Sequence, residues 1–214
     1  MRTRGLLLVA MFAALTSCAA PEPPLSSGTA PTLEADLVAY DNLDFQTTRK
    51  AVYDSSKKCA GLPASYLREL NYTPDPRREY GDGCTMPTSW GFIGFTQSAP
   101  SYRQSKQVTF QDFWNKGTYG TGYFQRSILL DRYYAVTTVD SSEQGACIIR
   151  IDTGNIEPFV VRATPPREQA EANAKADRDF PVDEVLANYC TRGKEAAEKL
   201  LPLLDSGGGS RRAP

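Results

Sequence analysis

Tyr123-Phe124-Gln125-Arg126-Ser127-Ile128-Leu129, Tyr133-Tyr134-Ala135-Val136-Thr137-Thr138-Val139, Cys147-Ile148-Ile149-Arg150-Ile151 and the run from Ile156 to Arg162 follow one another with short connections. These four runs are rich in β-branched and aromatic residues, which suit a pleated, half-buried surface. Asp152-Thr153-Gly154-Asn155, between the last two, carries the chemistry of a hairpin turn. Consecutive short strands with tight connections predict an antiparallel sheet.

Outward from that block the pattern becomes helical. Pro63 to Leu70 places Leu62, Tyr66, Leu67 and Leu70 in one stripe, with proline suited to the first turn and Asn71 and Pro74 as a stop. Asp75 to Gly83 reads as a polar loop. Trp90 to Thr96 reads as an aromatic strand in which Gly91 and Gly94 mark a bulge or a close backbone approach. Val108 to Asn115 reads as a short helix turning Phe110, Phe113 and Trp114 inward. Pro165 to Asp179 is alanine-rich and charged with almost no apolar stripe, a solvent-facing excursion. Val182 to Leu204 offers Val185, Leu186, Tyr189, Ala197, Leu200 and Leu201 to cover the sheet. The expected architecture is α+β: one antiparallel sheet packed against helices and closed by a C-terminal helix.

The first residues carry an address. Arg2 and Arg4 precede an apolar stretch from Gly5 to Leu15, and Leu15-Thr16-Ser17-Cys18 closes it. That order reads as a bacterial lipoprotein signal over residues 1–17. Gly5 to Leu15 is too short to span a hydrocarbon core of about 30 Å. Cys18 supplies the thiol that carries the diacylglyceryl group, and its acyl chains provide the membrane anchor. Nothing downstream is long and apolar enough for a transmembrane helix. Residues 18–32, with Pro21, Pro23, Pro24, Ser26, Ser27 and Gly28, cannot build a core and form a tether. The folded domain is expected over residues 33–205, and the Gly- and Arg-containing residues 206–214 as a disordered tail.

Composition removes several chemistries. Lys and Arg number 24 against 25 Asp and Glu, and no basic tract stands out, which argues against nucleic-acid binding. The chain contains no histidine. That excludes a Ser-His-Asp triad, a Cys-His dyad and any histidine-ligated metal site. Cys59, Cys84, Cys147 and Cys190 lack the close pairs of a zinc site or a redox-active Cys-x-x-Cys motif. In an exported domain they imply two disulfides. Three connectivities are open to the sequence, and sequential pairing, Cys59–Cys84 and Cys147–Cys190, is the expected one.

Asp54 through Leu70, with Cys59 followed by Gly61-Leu62-Pro63 and Tyr66-Leu67, resembles the first cysteine motif of an actinobacterial lipoprotein family known only as a domain of unknown function. The resemblance extends to Gly83-Cys84, to Cys147-Ile148-Ile149 opening a strand, and to Cys190 in a helix ending at Leu201-Pro202. It covers roughly Asp54 to Leu204. The chain departs from that pattern at Lys58, where the family commonly has proline, and in the length of the excursion after Pro165. The resemblance implies an exported, lipid-anchored domain and transfers no catalytic residue.

Candidate sites are few. Lys116 to Phe124 interleaves Gly117, Gly120 and Gly122 with aromatics, a loop that would present Tyr119 and Tyr123 to a ligand. It lacks the Lys-Ser/Thr ending of a phosphate loop. Trp90, Phe92, Phe95, Tyr102, Phe110, Phe113, Trp114, Tyr133 and Tyr134 either line an apolar ligand cavity or form an ordinary core. Asp75, Glu79 and Asp82 share a loop with Arg77 and Arg78 and read as solvated charges. Ser55-Ser56-Lys57-Lys58 contains a Ser-x-x-Lys spacing beside a half-cystine, while Ser127, Ser141 and Ser142 have no histidine to activate them. The functional expectation is a lipid-anchored, non-enzymatic binding or accessory module on the extracytoplasmic face of the cell membrane. Its partner would be a protein or envelope component; the alternative is a carrier or sensor of an apolar ligand. No cofactor, metal or nucleic acid is expected.

Overall fold

Six antiparallel strands form one sheet in the order β1-β2-β6-β5-β4-β3. The structure is a computed structural model that describes residue 45 and residues 47–75, 82–97, 109–116, 123–140, 142 and 144–211. The strands are β1 (Cys84–Thr88), β2 (Gly91–Thr96), β3 (Tyr123–Leu129), β4 (Tyr133–Asp140), β5 (Ala146–Ile151) and β6 (Phe159–Thr164). A 3-10 turn, Ser55–Gly61, and helix α1 (Ala64–Glu69) precede the sheet. Helix α2 (Phe110–Lys116) separates the β1–β2 hairpin from the β3–β6 meander. Helix α3 (Arg167–Lys175), helix α4 (Val182–Val185), a π-helical turn (Leu186–Cys190) and helix α5 (Thr191–Leu204) follow. The α+β class and the antiparallel sheet are as expected from the residue pattern. Among the described residues no helix is long and apolar enough to cross a membrane.

Alternation along each strand sends side chains to two faces. Met86, Ile93, Phe95, Ala135, Val139, Ile149, Val161 and Ala163 meet α1 and the C-terminal helices in the main core. Helix α5 buries Gly193, Ala197, Leu200 and Leu201 at helical spacing. A β-carbon at Gly193 would stand 3.3 Å from Ile149 Cδ1 and 3.4 Å from Ala163 Cβ, so glycine lets the helix lie close to the sheet. The opposite face carries a smaller core. There Phe110 and Trp114 of α2 pack on Tyr134 and Val136 of β4, with Phe45, Phe124 and Ile128 around them. Strand β4 is thus covered on both sides.

The cysteines pair in sequence. Cys59 joins Cys84, tying the 3-10 turn to β1, with Cα atoms 4.4 Å apart. Cys147 joins Cys190, tying β5 to the π turn, with Cα atoms 5.2 Å apart.

Several expectations are corrected. Cys84 to Thr88, to which the residue pattern assigns no element, is an edge strand; Pro87 disguises it, because proline is tolerated only at sheet edges. The last strand begins at Phe159 rather than Ile156. The turn before it is wider because Asn155 bridges to Thr48 instead of opening the ladder, and Pro158 has no N–H to give. Leu70, placed on the α1 stripe, is exposed. Phe113 is half-buried, with the Arg150 guanidinium 4.3 Å from its ring centre.

The greatest difference concerns the residues after Leu204. Composition predicts a disordered tail from Ser206, yet Ser206 to Arg211 lies against the fold. The backbone N–H groups of Ser210 and Arg211 both donate to the Arg132 carbonyl at 2.9 Å. The Ser210 hydroxyl donates to the Asp152 carbonyl at 2.7 Å, and the Arg132 guanidinium donates to the Gly208 carbonyl. Backbone and side-chain partners distant in the sequence, invisible to composition, satisfy this backbone. Arg49 clasps the same end: its guanidinium meets Asp205 Oδ1 at 2.6 Å and donates to the carbonyls of Thr153 and Gly209. The Tyr133 hydroxyl donates to Asp205 Oδ2 at 3.1 Å.

Asp152 sits inside this clasp, 1 % exposed, with Oδ1 accepting the Gly154 N–H and Oδ2 without a hydrogen-bond partner among the described residues. Burial pushes its carboxyl above the ordinary value of 3.8; the Gly154 N–H, the Ser210 hydroxyl and the Arg49 charge offset only part of that. The folded state therefore holds this proton more tightly than the unfolded chain. The charge costs nothing below the unfolded value and costs stability as pH rises above it. Asp152→Asn is expected to gain stability relative to the parent between pH 3.5 and pH 7, read as the difference of their urea midpoints at each pH.

Candidate functional site

On the face opposite α5, the half of the sheet away from α2 forms an open groove of about 600 Å³. Strand register builds its floor. Thr85 pairs with Gly94, Gly94 with Arg162, and Arg162 with Ile148, a single row across four strands. The next row sets Pro87, Phe92 and Thr164 side by side. Gln144, from the turn before β5, and Pro165, Arg167 and Ala170, leading into and along α3, raise the walls.

Its electrostatics are cationic. The Arg162 guanidinium is exposed and donates to Gln144 Oε1 at 2.9 Å. Arg150 stands beside it on β5, donating to Thr138 Oγ1 at 3.0 Å. Burial, and after it the neighbouring charge of Arg162, lower Arg150 to about 10, which leaves it cationic at neutral pH. Arg167 is exposed at the start of α3. None of the ion pairs among the described residues involves Arg150, Arg162 or Arg167.

A smaller concavity, about 290 Å³, is lined by Ala51, Tyr53, Asp54, Ser55, Ser56, Asp82 and Gln97. Its polar groups are committed to the fold. Gln97 is 4 % exposed; its Oε1 accepts the N–H groups of Val52 and Tyr53, and its Nε2 donates to Thr153 Oγ1 and the Glu157 carbonyl. Ser55 Oγ accepts the Gln97 N–H at 2.6 Å, so the serine of the Ser-x-x-Lys spacing is buried in structural bonds. Hydrogen bonding from Ser56 holds the exposed Asp54 below the ordinary carboxylate range.

The residues singled out by sequence scatter. Tyr123 opens β3 and packs on the main core, its hydroxyl donating to Gln125 Oε1 at 2.9 Å. Burial raises its hydroxyl above the ordinary tyrosine value. Tyr119, Tyr102, Glu79 and Ser141, like Cys18 and the whole of residues 1–32, lie outside the described residues. Trp114 is wholly buried against Phe45, Phe110 and Tyr134. Phe95 stacks near Phe159 in the main core, and Trp90 lies against Tyr189 with Arg192 over its ring. Phe92 alone of the strand aromatics lines the groove. Arg162, Gln144, Thr85 and Arg167 were not visible as a group, since only strand order unites them; Gly94 was the one signal, a glycine where a strand prefers a branched side chain.

Compared with protein-family models, with curated proteins and with solved structures, the chain finds no match.

Proposed function

We propose that this chain is a lipid-anchored, non-enzymatic binding module on the extracytoplasmic face of the cell membrane, and that the groove across β1, β2 and β6 receives its protein or envelope partner. The observation that carries this reading is the contrast between the two kinds of space. Most of the aromatic residues that would line an apolar cavity fill two packed cores instead, and the open concavity, although Phe92 and Pro165 line part of it, presents the cationic Arg162 and Arg167. Leu15-Thr16-Ser17-Cys18 supports the anchor, and the two disulfides suit an oxidising compartment. The four-cysteine resemblance to a lipoprotein family points the same way.

Two measurements test it. Growth with an alkyne-tagged fatty acid is expected to label the parent and not Cys18→Ala, which should appear in the medium; labelling of both would overturn the anchor. The native mass spectrum of the secreted chain is expected to show bare protein, lighter than the reduced chain by the four hydrogens of two disulfides. A reproducible extra mass that extracts into organic solvent would replace this reading with an apolar carrier.

A further inference from the structure

Two glycines of β2 differ in what the fold asks of them. Gly91 has φ +146°, and a β-carbon there would collide with the Thr164 carbonyl; the backbone demands glycine. Gly94 has no such need. It lies in regular strand backbone, and a β-carbon would meet Thr85 Oγ1 at 3.4 Å, the Cys84 carbonyl at 3.6 Å and the Arg162 carbonyl at 3.8 Å, all ordinary contacts. A strand interior gains from a branched residue, so a glycine left there by neither strain nor packing marks a place where something approaches the backbone. What stands around that bare spot is a set of donors. Thr85 and Arg162 flank Gly94 in its row, and Gln144, Thr164 and Arg167 complete the rim.

We propose that the groove binds a phosphate-bearing ligand, its phosphoryl oxygens between Arg162 and Arg167 and its carbon skeleton lying across Gly94 against Phe92. Guanidinium groups pair with phosphate oxygens through parallel N–H donors, and these carry no carboxylate partner among the described residues. Five donor side chains drawn from β1, the turn before β5, β6 and α3 exceed what the two oxygens of a carboxylate use, whereas a phosphoryl group offers three. Gln144 holds the Arg162 fork through its oxygen, which turns its NH₂ group outward as a further donor. Arg150 behind Arg162 adds charge to the same face. This assignment rests on the groove being the binding face.

The test uses the full chain carrying Cys18→Ala, collected from the medium and titrated at low salt with inorganic phosphate, glycerol 3-phosphate and acetate. The amide resonances of Gly94 and Thr85 are followed. Glycerol 3-phosphate is expected to shift both saturably and to bind at least tenfold more tightly than acetate. Arg162→Gln and Arg167→Gln are each expected to weaken it about tenfold. Gly94→Val is expected to abolish it while the thermal midpoint stays the same or rises, which separates a blocked groove from a damaged fold. Vesicles containing phosphatidylglycerol, set against phosphatidylcholine alone, identify the source: binding to the first assigns a lipid headgroup, and binding to glycerol 3-phosphate without vesicle binding assigns a soluble or polymer-borne phosphate. Acetate binding as tightly as glycerol 3-phosphate, or an unchanged response in the arginine variants, overturns the ligand class. If no anion binds, a photo-crosslinking residue at Ala170 in intact cells decides how far the failure reaches. A discrete adduct there leaves the binding face standing with another ligand; no adduct brings down both.

Discussion

Trp114→Ala is expected to destabilise the protein by about 3–5 kcal/mol, the range for emptying a buried indole from a packed site. For a chain of this size that lowers the melting temperature by roughly 6–20 °C. The effect follows from where the ring lies. Trp114 is fully buried, with ring centres of Tyr134 at 5.4 Å, Phe45 at 5.5 Å and Phe110 at 5.9 Å. The Arg126 guanidinium stands 5.5 Å from it, while Arg126 Nε and Nη2 donate to the Trp114 carbonyl at 2.9 and 2.7 Å. Among the described residues this core has four buried members, so few side chains stand by to fill the void. Trp114→Phe is expected to cost far less. Among the described residues the indole N–H has no hydrogen-bond partner, and the aromatic contacts survive in part. Urea midpoints of the two variants check the ranking; equal losses would show that the ring's bulk is not what α2 contributes.

Removing the second disulfide as Cys147→Ala with Cys190→Ala is expected to cost about 4 kcal/mol. The half-cystines are 43 residues apart, and the chain-entropy model assigns about that much to closing such a loop. The bridge also holds a particular geometry: a π turn brings Cys190 against β5, and Leu186 O accepts the Thr191 hydroxyl where the helical ladder is widened. The pair Cys59→Ala with Cys84→Ala closes a shorter loop, 25 residues, and should cost somewhat less. Thermal unfolding of both double variants, with and without reductant, gives the comparison. The reduced parent should melt below either variant in its oxidised form.

The meander from β3 to β6 was legible because its residues alternate and branch as strands do, and because turn residues separate them. The C-terminal helix was legible through Ala197, Leu200 and Leu201. What resisted reading was everything decided by a neighbour distant in the chain. Edge strand β1 hides behind Pro87, the π turn ends on a half-cystine bonded to β5, and Ser210 and Arg211 are held by a carbonyl at Arg132. The two-sided covering of β4 was invisible for the same reason, since Tyr134 and Val136 look like any strand residues until α2 is placed over them. The groove is the extreme case. Thr85, Gly94 and Arg162 become neighbours only when β6 slots in beside β2, a pairing that no local pattern encodes.

The clasp at Arg49 and Asp205 has a mechanical meaning. Thr48 and Arg49 lie against the turn between β5 and β6, and the last described residues lie against the turn between β3 and β4. Both turns lie at one pole of the sheet. Gln144, Thr164 and Pro165 lie at the other, beyond a strand of six residues, or about 20 Å. A pull on Arg49 or on the strand-distal end of the last helix is therefore met by the arginine–aspartate clasp at this pole, and the groove at the other lies outside the path of that load.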